Sequence, residues 1–258
     1  MEHIHPTALV AAGARLAPDV RVGPFTVIGP AVEVDSGTII ASHVVIVGRT
    51  RIGTGNRIFQ FASVGEIPQD RKYNGEPTAT VIGANNVIRE YVTIHAGTAQ
   101  DRGTTTIGDR NLLLAYSHIA HDCVIGNDTT FSNNAQLAGH VVIGDFAVLG
   151  GFIGVHQFCR VGAHAMLAAG SIVRQDVPPF VTASGYPARP HGTNSEGLRR
   201  RGFSESDIAA IRNAYKMLYR EKLSLEEARK AIATAAEKAP VLTALAQFLE
   251  TPGRGIIR

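Results

Sequence analysis

Histidines are the side chains in this sequence with the clearest capacity for chemistry. Ten are present, and five fall in the middle of the chain: His95, His118, His121, His140 and His156. Near neutral pH an imidazole acts as a general base, a general acid or a metal ligand. The arrangement of the five side chains decides which of these roles is possible. That arrangement depends on the secondary structure elements that carry the histidines.

Those elements follow a period of six residues. Apolar, mostly aliphatic residues recur at every sixth position in three runs, from Ile4 to Val64, from Ile82 to Ile94 and from Ile107 to Val173. Glycine is frequent one position later, and small residues such as Cys123 and Cys159 stand four positions later. A period of six fits neither an amphipathic helix nor an alternating strand. It predicts a parallel β-helix in which three hexads form one triangular coil.

In such a coil, residues 18 apart lie one rung apart, about 4.8 Å along the axis. His121, Gly139 and Gln157 then form one column at a corner, and Asp122 stacks beside His140 in the next. None of the five histidines falls at an inward-facing hexad position. A base, a carboxylate, a bare backbone N–H and an amide are the components of an acyl-transfer site. There a histidine takes the acceptor's proton and an N–H group meets the developing oxyanion.

Other kinds of protein remain as alternatives. Surface histidines can bind zinc, as in β-helical carbonic anhydrases, so a histidine–zinc enzyme is the main alternative. A serine-nucleophile hydrolase is less favoured because the sequence has no G-x-S-x-G motif. A structural or ice-binding solenoid would carry ladders of Thr or Asn on a flat face instead of clustered histidines.

Composition excludes several further classes. With 45% apolar and 18% charged residues, the chain is not a disordered protein. The net charge of +3 is mild, and no basic stripe with interleaved aromatics indicates nucleic acid binding. No apolar run is long enough to span a membrane, and the N-terminus lacks a secretory hydrophobic region, so a cytoplasmic protein is expected.

The two cysteines give a further test of the period. Cys123 and Cys159 are both predicted to point inward and lie 36 residues, or two rungs, apart. Two rungs separate their backbones by about 9.6 Å, beyond the ~7 Å that a disulfide allows. We therefore predict two buried free thiols, and the spacing matches no zinc site.

The period is interrupted twice and then ends. Two polar stretches, at about residues 66–80 and 96–106, are predicted to protrude as loops, where function often collects. We assign residues 1–186 to the β-helix and residues 187–258 to a small C-terminal α-helical domain.

Within that second domain, the spacing of apolar residues predicts helices over about 205–220 and 225–238. Ser204 and Ser224 open them with sequences typical of a capping box. A third helix follows Pro240. One task of this domain is to cover the open end of the β-helix, where strand edges would otherwise be unpaired.

Beyond the hexad repeat, six longer motifs carry a resemblance that covers nearly the whole chain. They are Gln69–Tyr73, Thr93–His95, Tyr116–Cys123, Asn133–His140, Val155–Cys159 and Asn194–Phe203. Together they resemble the UDP-N-acetylglucosamine O-acyltransferases, the family that catalyses the first step of lipid A synthesis. The resemblance implies a left-handed parallel β-helix of hexapeptide repeats, a helical C-terminal domain and a homotrimer with active sites between subunits. It also implies transfer of a 3-hydroxyacyl group from acyl carrier protein to the glucosamine 3-hydroxyl of UDP-N-acetylglucosamine.

Residue roles follow from the same resemblance. His121 would be the general base, Asp122 would orient it, and the Gly139 N–H would hold the oxyanion. The residues implied to hold the sugar nucleotide and the acyl chain are Gln69, Asp70, Lys72, His95, His118, His140, Gly151, His156, Gln157 and Ala169. Those implied to reach the uridine diphosphate are Asn194, Glu196, Arg200 and Arg201. No metal and no cofactor are expected, because the donor brings its own phosphopantetheine thioester.

Two positions depart from the family, and one sibling family resembles the chain. Ala96 follows His95 where the family usually has Arg, so a cationic contact to the donor is lost or supplied elsewhere. Ala169 stands at the family's acyl-length position, often Gly or Met, which predicts a preference for medium-to-long donors. The related N-acyltransferases carry an extra N-terminal uridine-binding domain, whereas the hexads here begin at Ile4.

Overall fold

The computed structural model describes residues 3–251 and 253–258, and its first two thirds is a parallel β-helix. Most strands are only two residues long, because each hexad contributes one short strand and one corner. The strands are β1 Leu9–Val10, β2 Arg15–Leu16, β3 Arg21–Val22, β4 Val27–Ile28, β5 Glu33–Val34, β6 Ile39–Ile40, β7 Val45–Ile46, β8 Arg49–Ile52, β9 Arg57–Ile58, β10 Ser63–Glu66, β11 Ala79–Ile82, β12 Val87–Ile88, β13 Thr93–His95, β14 Thr104–Ile107, β15 Leu112–Leu113, β16 His118–Ile119, β17 Val124–Ile125, β18 Thr130–Phe131, β19 Gln136–Leu137, β20 Val142–Ile143, β21 Val148–Leu149, β22 Gly154–Val155, β23 Arg160–Val161, β24 Met166–Leu167, β25 Ile172–Val173, β26 Val181–Gly185 and β27 Ala188–Thr193.

Every third strand belongs to the same sheet, which makes three sheets. The first sheet runs from β1 through β4 to β25, the second from β2 to β23, and the third from β3 to β24 followed by β26 and β27. All pairs are parallel except the β26–β27 hairpin. In the first sheet Ile119 pairs with Leu137 and Leu137 pairs with Val155, a step of 18 residues. The predicted coil of three hexads is confirmed.

The core of the β-helix is one continuous stack of the hexad residues. Aliphatic side chains such as Ile46, Ile52 and Ile119 are fully buried, and the small inward residues Thr26 and Ala135 close the corners. Burying one such aliphatic side chain contributes about 1.5–3 kcal/mol. Because each coil contacts only its neighbours, the stability grows coil by coil.

Most corners place one residue in the left-handed backbone region. At the corner between the first and second sheets these residues are Asp122, His140 and Phe158, with φ values of 58°, 64° and 65°. Asp and His tolerate this conformation better than most residues. The repeated corner stacks these residues one rung apart in a single column.

Both cysteines are free and buried, as predicted. Burial raises the pKa of the Cys123 thiol to about 12 and that of Cys159 to about 11. Neither thiol is therefore a nucleophile near neutral pH.

The C-terminal region begins with the β26–β27 hairpin and continues as helices. They are α1 Ser195–Arg200, α2 Glu205–Tyr219, α3 Leu225–Lys238, a 3₁₀ turn Pro240–Leu242 and α4 Thr243–Glu250. The predicted helices α2 and α3 are confirmed, whereas the short α1 was not foreseen. The division assigned at residue 187 falls inside the hairpin, so regular helix starts later than that boundary. None of the helices in the described ranges is long and apolar enough to cross a membrane.

The two capping motifs differ from one another. Ser224 and Glu227 form a full capping box, with each side chain bound to the other's backbone N–H. Ser204 accepts from the Asp207 backbone N–H, but its hydroxyl turns to the Asp207 carboxylate, so only half of the box forms. Asp207 has one methylene fewer than Glu, which shortens its reach back to the cap.

The chain's last residues return to the end of the β-helix and cover it. Ile257 is buried in the β-helix core. Asp176 is fully buried and accepts from the Arg160 backbone N–H at 2.9 Å and from Arg160 Nε at 2.8 Å. The Arg160 guanidinium lies 4.3 Å from the centre of the Phe248 ring, and the Ile257 N–H donates to the Asp176 carbonyl. This buried ion pair joins the last coil, α4 and the C-terminal segment.

We expect Asp176→Ala to lower the free energy of unfolding by about 3–5 kcal/mol, because it leaves the Arg160 charge buried without its partner. Urea denaturation at fixed protein concentration measures the loss. The control is Asp35→Ala, whose exposed contact with Arg51 at 3.8 Å contributes less than about 1 kcal/mol. Equal stability of the two variants would contradict a structural role for the Asp176 pair.

Candidate active site

The candidate site lies at the corner between the first and second sheets. The His140 backbone N–H donates to the His121 carbonyl at 3.0 Å, and the Phe158 N–H donates to the Gly139 carbonyl at 3.1 Å. These bonds link successive rungs and confirm the predicted columns. His121, Gly139 and Gln157 therefore lie one above another, with Asp122 and His140 in the neighbouring column.

His121 and Asp122 form a carboxylate–imidazole pair. His121 Nδ1 lies 2.9 Å from Asp122 Oδ2; the Asp122 side chain is fully buried, and that of His121 is 13% exposed. With a carboxylate accepting at Nδ1, the proton resides on that nitrogen and Nε2 is left as the basic atom. In this tautomer, Nε2 carries the lone pair that can accept a proton at the groove beside the pair.

Asp122 is held by a residue that the sequence reasoning missed. The Thr98 hydroxyl donates to Asp122 Oδ2 at 2.6 Å, and the Thr98 backbone N–H donates to the same carboxylate at 3.0 Å. Burial raises the pKa of Asp122, but the hydrogen bonds from His121 and Thr98 outweigh it and bring the pKa below its ordinary value. The carboxylate therefore stays ionised. Thr98 lies in the 96–106 loop, outside the hexad repeat, so no periodicity pointed to it.

Gly139 lies directly against the His121 ring. A Cβ at this position would come within 2.6 Å of His121 Nε2, closer than real Cβ contacts occur. Within the described chain the Gly139 N–H has no acceptor. A glycine here brings a free backbone donor and the imidazole to the same point, which is the arrangement that stabilises an oxyanion next to a base.

His118 and His95 lie in strands of the first sheet, next to this corner. His118 Nδ1 is 2.7 Å from the Thr93 hydroxyl, and burial lowers the pKa of His118 to about 4, so the ring is neutral. His95 packs edge-on against His118 with ring centres 4.9 Å apart. It stands at no inward hexad position, as expected, yet it is buried, and burial lowers its pKa. The corner itself is therefore only partly open to solvent.

Two adjacent cavities open beside the His121–His140 pair. One has a volume of about 620 Å³ and is lined by Gln69, His118, His121, Gly139, His156 and Gln157. The other, of about 520 Å³, is lined by Asp70, Lys72, Asp101, Arg102, His140 and Phe158. The first cavity is lined by the candidate base His121 and by Gly139, whereas charged side chains of the two loops line the second. Nine of the residues expected at the site line these two cavities, and Asp122 and His95 lie directly behind His121 and His118, so the structure brings eleven of them together.

The remaining expected residues lie at the other two edges of the β-helix. Gly151 and Ala169 stack at the corner between the third and first sheets, where the Gly170 N–H donates to the Gly151 carbonyl. Asn194 lies at the corner between the second and third sheets, where its side-chain amide donates to the His164 carbonyl at 3.0 Å. One chain by itself does not join these groups to His121.

All four residues expected at the uridine diphosphate already have partners within the chain. Asn194 caps α1 by accepting from the Gly197 N–H at 3.2 Å. Arg201 lies over the Phe146 ring at 5.2 Å, and Arg200 pairs with Glu196 at 3.3 Å on the surface. The exposed Arg200–Glu196 pair is weak and open to exchange for a phosphate.

The same corner offers a set of groups that could bind a metal. Ligand atoms of His121, Asp122 and His140 all lie within 4.8 Å of one another. Asp122 Oδ2, however, already accepts hydrogen bonds from His121 and from the Thr98 hydroxyl. A metal would have to displace both donors.

Comparison with known proteins decides the family. Residues 176–257 match the model for UDP-N-acetylglucosamine O-acyltransferase domain 2, and residues 104–139 match the bacterial transferase hexapeptide model of six repeats. The acyltransferase of Thiobacillus denitrificans that acts on UDP-N-acetylglucosamine is 57% identical over the whole length of both chains. The chain belongs to the UDP-N-acetylglucosamine O-acyltransferase family.

Other members agree with this assignment. The corresponding acyltransferase of Herminiimonas arsenicoxydans is 54% identical over the full length of both chains. The structure of LpxA from Acinetobacter baumannii superposes with a TM-score of 0.97 at 46% identity, covering 100% of each chain. That of UDP-N-acetylglucosamine O-acyltransferase from Moraxella catarrhalis gives 0.98 at 44% identity, covering 99% of this chain and 100% of that one. The expected left-handed β-helix with a helical C-terminal region is confirmed, and the chain is an acyltransferase.

Proposed function

We propose that this acyltransferase moves a 3-hydroxyacyl group from acyl carrier protein to the 3-hydroxyl of UDP-N-acetylglucosamine, the first step of lipid A synthesis. The observation that carries the mechanism is the His121–Asp122 pair lying against the Gly139 backbone. His121 Nε2 takes the proton of the sugar hydroxyl as its oxygen attacks the thioester carbonyl. The Gly139 N–H donates to the oxygen on which negative charge develops.

Collapse of the tetrahedral intermediate completes the transfer. The carbon–sulfur bond breaks, the new ester carbon–oxygen bond remains, and the proton held on His121 passes to the departing phosphopantetheine sulfur. Asp122 stays ionised throughout and stabilises the imidazolium that forms between the two steps. No cofactor enters this scheme. Because the acyl donor is carried on a soluble carrier protein, we place the reaction in the cytoplasm.

The two cavities supply the binding residues in this proposal. Gln69, His118, His156 and Gln157 contact substrate in the cavity that contains His121, and Asp70, Lys72 and His140 do so in the neighbouring one. Buried His95 supports His118 from behind. Neutral His118 acts through hydrogen bonds and not through charge.

The position of the other expected residues supports a homotrimer. Gly151 and Ala169 lie on one edge of the β-helix, Asn194, Glu196, Arg200 and Arg201 near another, and His121 on the third. Groups on different edges of a prism meet only when edges of different copies come together. A closed threefold arrangement lets every site draw on neighbouring chains.

The test of the proposed function is direct. The purified protein is incubated with UDP-N-acetylglucosamine and a panel of 3-hydroxyacyl carrier proteins, and the products are read by mass spectrometry. We expect an O-linked 3-hydroxyacyl product. Acylation of a 3-amino sugar nucleotide in preference to the 3-hydroxyl would favour the sibling N-acyltransferase activity and contradict the proposal.

A zinc enzyme is the second candidate, because His121, Asp122 and His140 could act as ligands. We expect elemental analysis of the purified protein to find no stoichiometric zinc, and acyl transfer to survive dialysis against a chelator. One zinc per chain, together with loss of activity on chelation and its return with added zinc, would favour the metal enzyme instead.

The length of the acyl chain is predicted to depend on Ala169. This residue is exposed on its edge of the single chain, one rung beyond Gly151. Each buried methylene contributes about 0.8 kcal/mol, so loss of room for two carbons shifts donor preference by roughly tenfold. We expect Ala169→Gly to lengthen the preferred donor and Ala169→Met to shorten it. Three coincident chain-length profiles on one donor panel would place the length determinant elsewhere.

A further inference from the structure

Asp101 forms a second carboxylate–imidazole pair at the site. It belongs to the loop between β13 and β14, and its Oδ2 lies 2.6 Å from His140 Nδ1. The His140 ring meets the His121 ring edge-on, with ring centres 4.9 Å apart. The site therefore contains two adjacent histidines, each with its own aspartate.

The loop fixes the position of Asp101 from both sides. Three residues before it, Thr98 is bound to the buried Asp122 carboxylate. One residue after it, Arg102 Nη1 donates to the Asp122 carbonyl at 3.2 Å. Within the loop, the Gly103 N–H donates to the Thr98 carbonyl at 2.9 Å and closes the turn. Asp101 is thus held over His140 by a turn that is anchored on the rung of the catalytic pair.

His140 is restrained on its remaining sides as well. Its ring stacks on Phe158 with ring centres 4.3 Å apart and an angle of 11° between the planes. Among the described residues, no group forms a hydrogen bond with its Nε2. With the proton on Nδ1 directed to Asp101, Nε2 is the free atom of the ring, and His140 lines the cavity of Asp70 and Lys72.

We propose that Asp101 is a positioning residue that holds His140 as the Nδ1–H tautomer, so that Nε2 accepts a hydrogen bond from a polar N–H or O–H group of the sugar nucleotide. This rests on the proposed function, because it takes His140 as a group that contacts the acceptor. For metal-binding histidines, loss of the partner that fixes the other ring nitrogen costs about 10- to 100-fold in affinity or activity, and we expect an effect at the lower end of that range for binding by His140. Asp101 acts through His140 and does not touch the reacting atoms.

Nitrogen-15 NMR of the histidine side chains tests the tautomer without any turnover. At a pH where imidazoles are neutral, we expect the native His140 signals to show a protonated Nδ1 and a bare Nε2. The signals are assigned by their loss in His140→Gln. In Asp101→Ala the proton should move toward Nε2. A native His140 protonated on Nε2, or an unchanged tautomer in Asp101→Ala, would overturn the proposal.

Steady-state kinetics tests the consequence for the acceptor. We expect Asp101→Ala and Asp101→Asn to raise the KM for UDP-N-acetylglucosamine about tenfold, with kcat changed less than about threefold. Asp101→Glu should restore part of the loss, and the exposed Glu237→Gln serves as the charge-matched control. A fall in kcat at constant KM would contradict a positioning role toward the acceptor. If the native protein transfers no acyl group, the proposed function fails, and the NMR result still decides the role of Asp101.

Discussion

His121→Ala is expected to lower kcat by about 10²–10⁴-fold, the usual effect of losing a general base. The fold should be unaffected, because the His121 side chain lies at a corner outside the β-helix core. Initial rates with saturating donor and acceptor measure the loss, and circular dichroism and sedimentation confirm the fold and assembly. Asp122→Asn provides a second probe, because an amide can donate to Nδ1 and so favours the wrong tautomer.

The control for that variant is His5→Ala, which changes an exposed histidine at the opposite end of the β-helix. Its rate should equal that of the native protein. A His121→Ala protein with a near-native rate would make His121 a surface residue of no catalytic importance, and the base would have to be sought among the other histidines of the corner.

Gly139→Ala is expected to lower kcat by about 10²–10³-fold, the range found when an oxyanion donor is lost. The added methyl group overlaps the His121 ring, so the imidazole must move and the backbone donor is covered. The one added carbon therefore affects both the general base and the oxyanion donor. Kinetics with a short and a long donor should show the same loss, because the change concerns the reacting carbonyl and not the acyl chain.

Gly29→Ala is the matched control for this glycine. It is also a corner glycine of the β-helix, but a Cβ there finds its nearest neighbour, Val47 Cα, at 3.3 Å, which a small shift relieves. We expect its activity to remain native. If Gly139→Ala also retained full activity, neither the ring contact nor the Gly139 N–H would be needed for the reaction.

The repeat made much of the site predictable from the sequence. A coil of 18 residues fixes which corners stack, so the columns of His121 with Gly139 and of Asp122 with His140 followed from residue numbers alone. The same arithmetic kept Cys123 and Cys159 apart as free thiols. Regular backbone pairing every 18 residues leaves no other alignment once the apolar hexad positions must face inward.

The contacts made by segments outside the repeat could be determined only from the tertiary structure. Thr98 and Asp101 lie in a loop with no period, so nothing in their spacing showed that they bind Asp122 and His140. Burial of His95 is likewise a tertiary effect at a position that the hexad pattern marks as outward. Asn194 lies beyond the last hexad, so its place beside the His164 carbonyl, at a different edge from His121, was likewise decided only by the folded chain. Sequence therefore determined the repeating core and its columns, including that of Gly151 and Ala169, because backbone pairing enforces them, whereas loop contacts and the placement of the C-terminal residues required the folded chain.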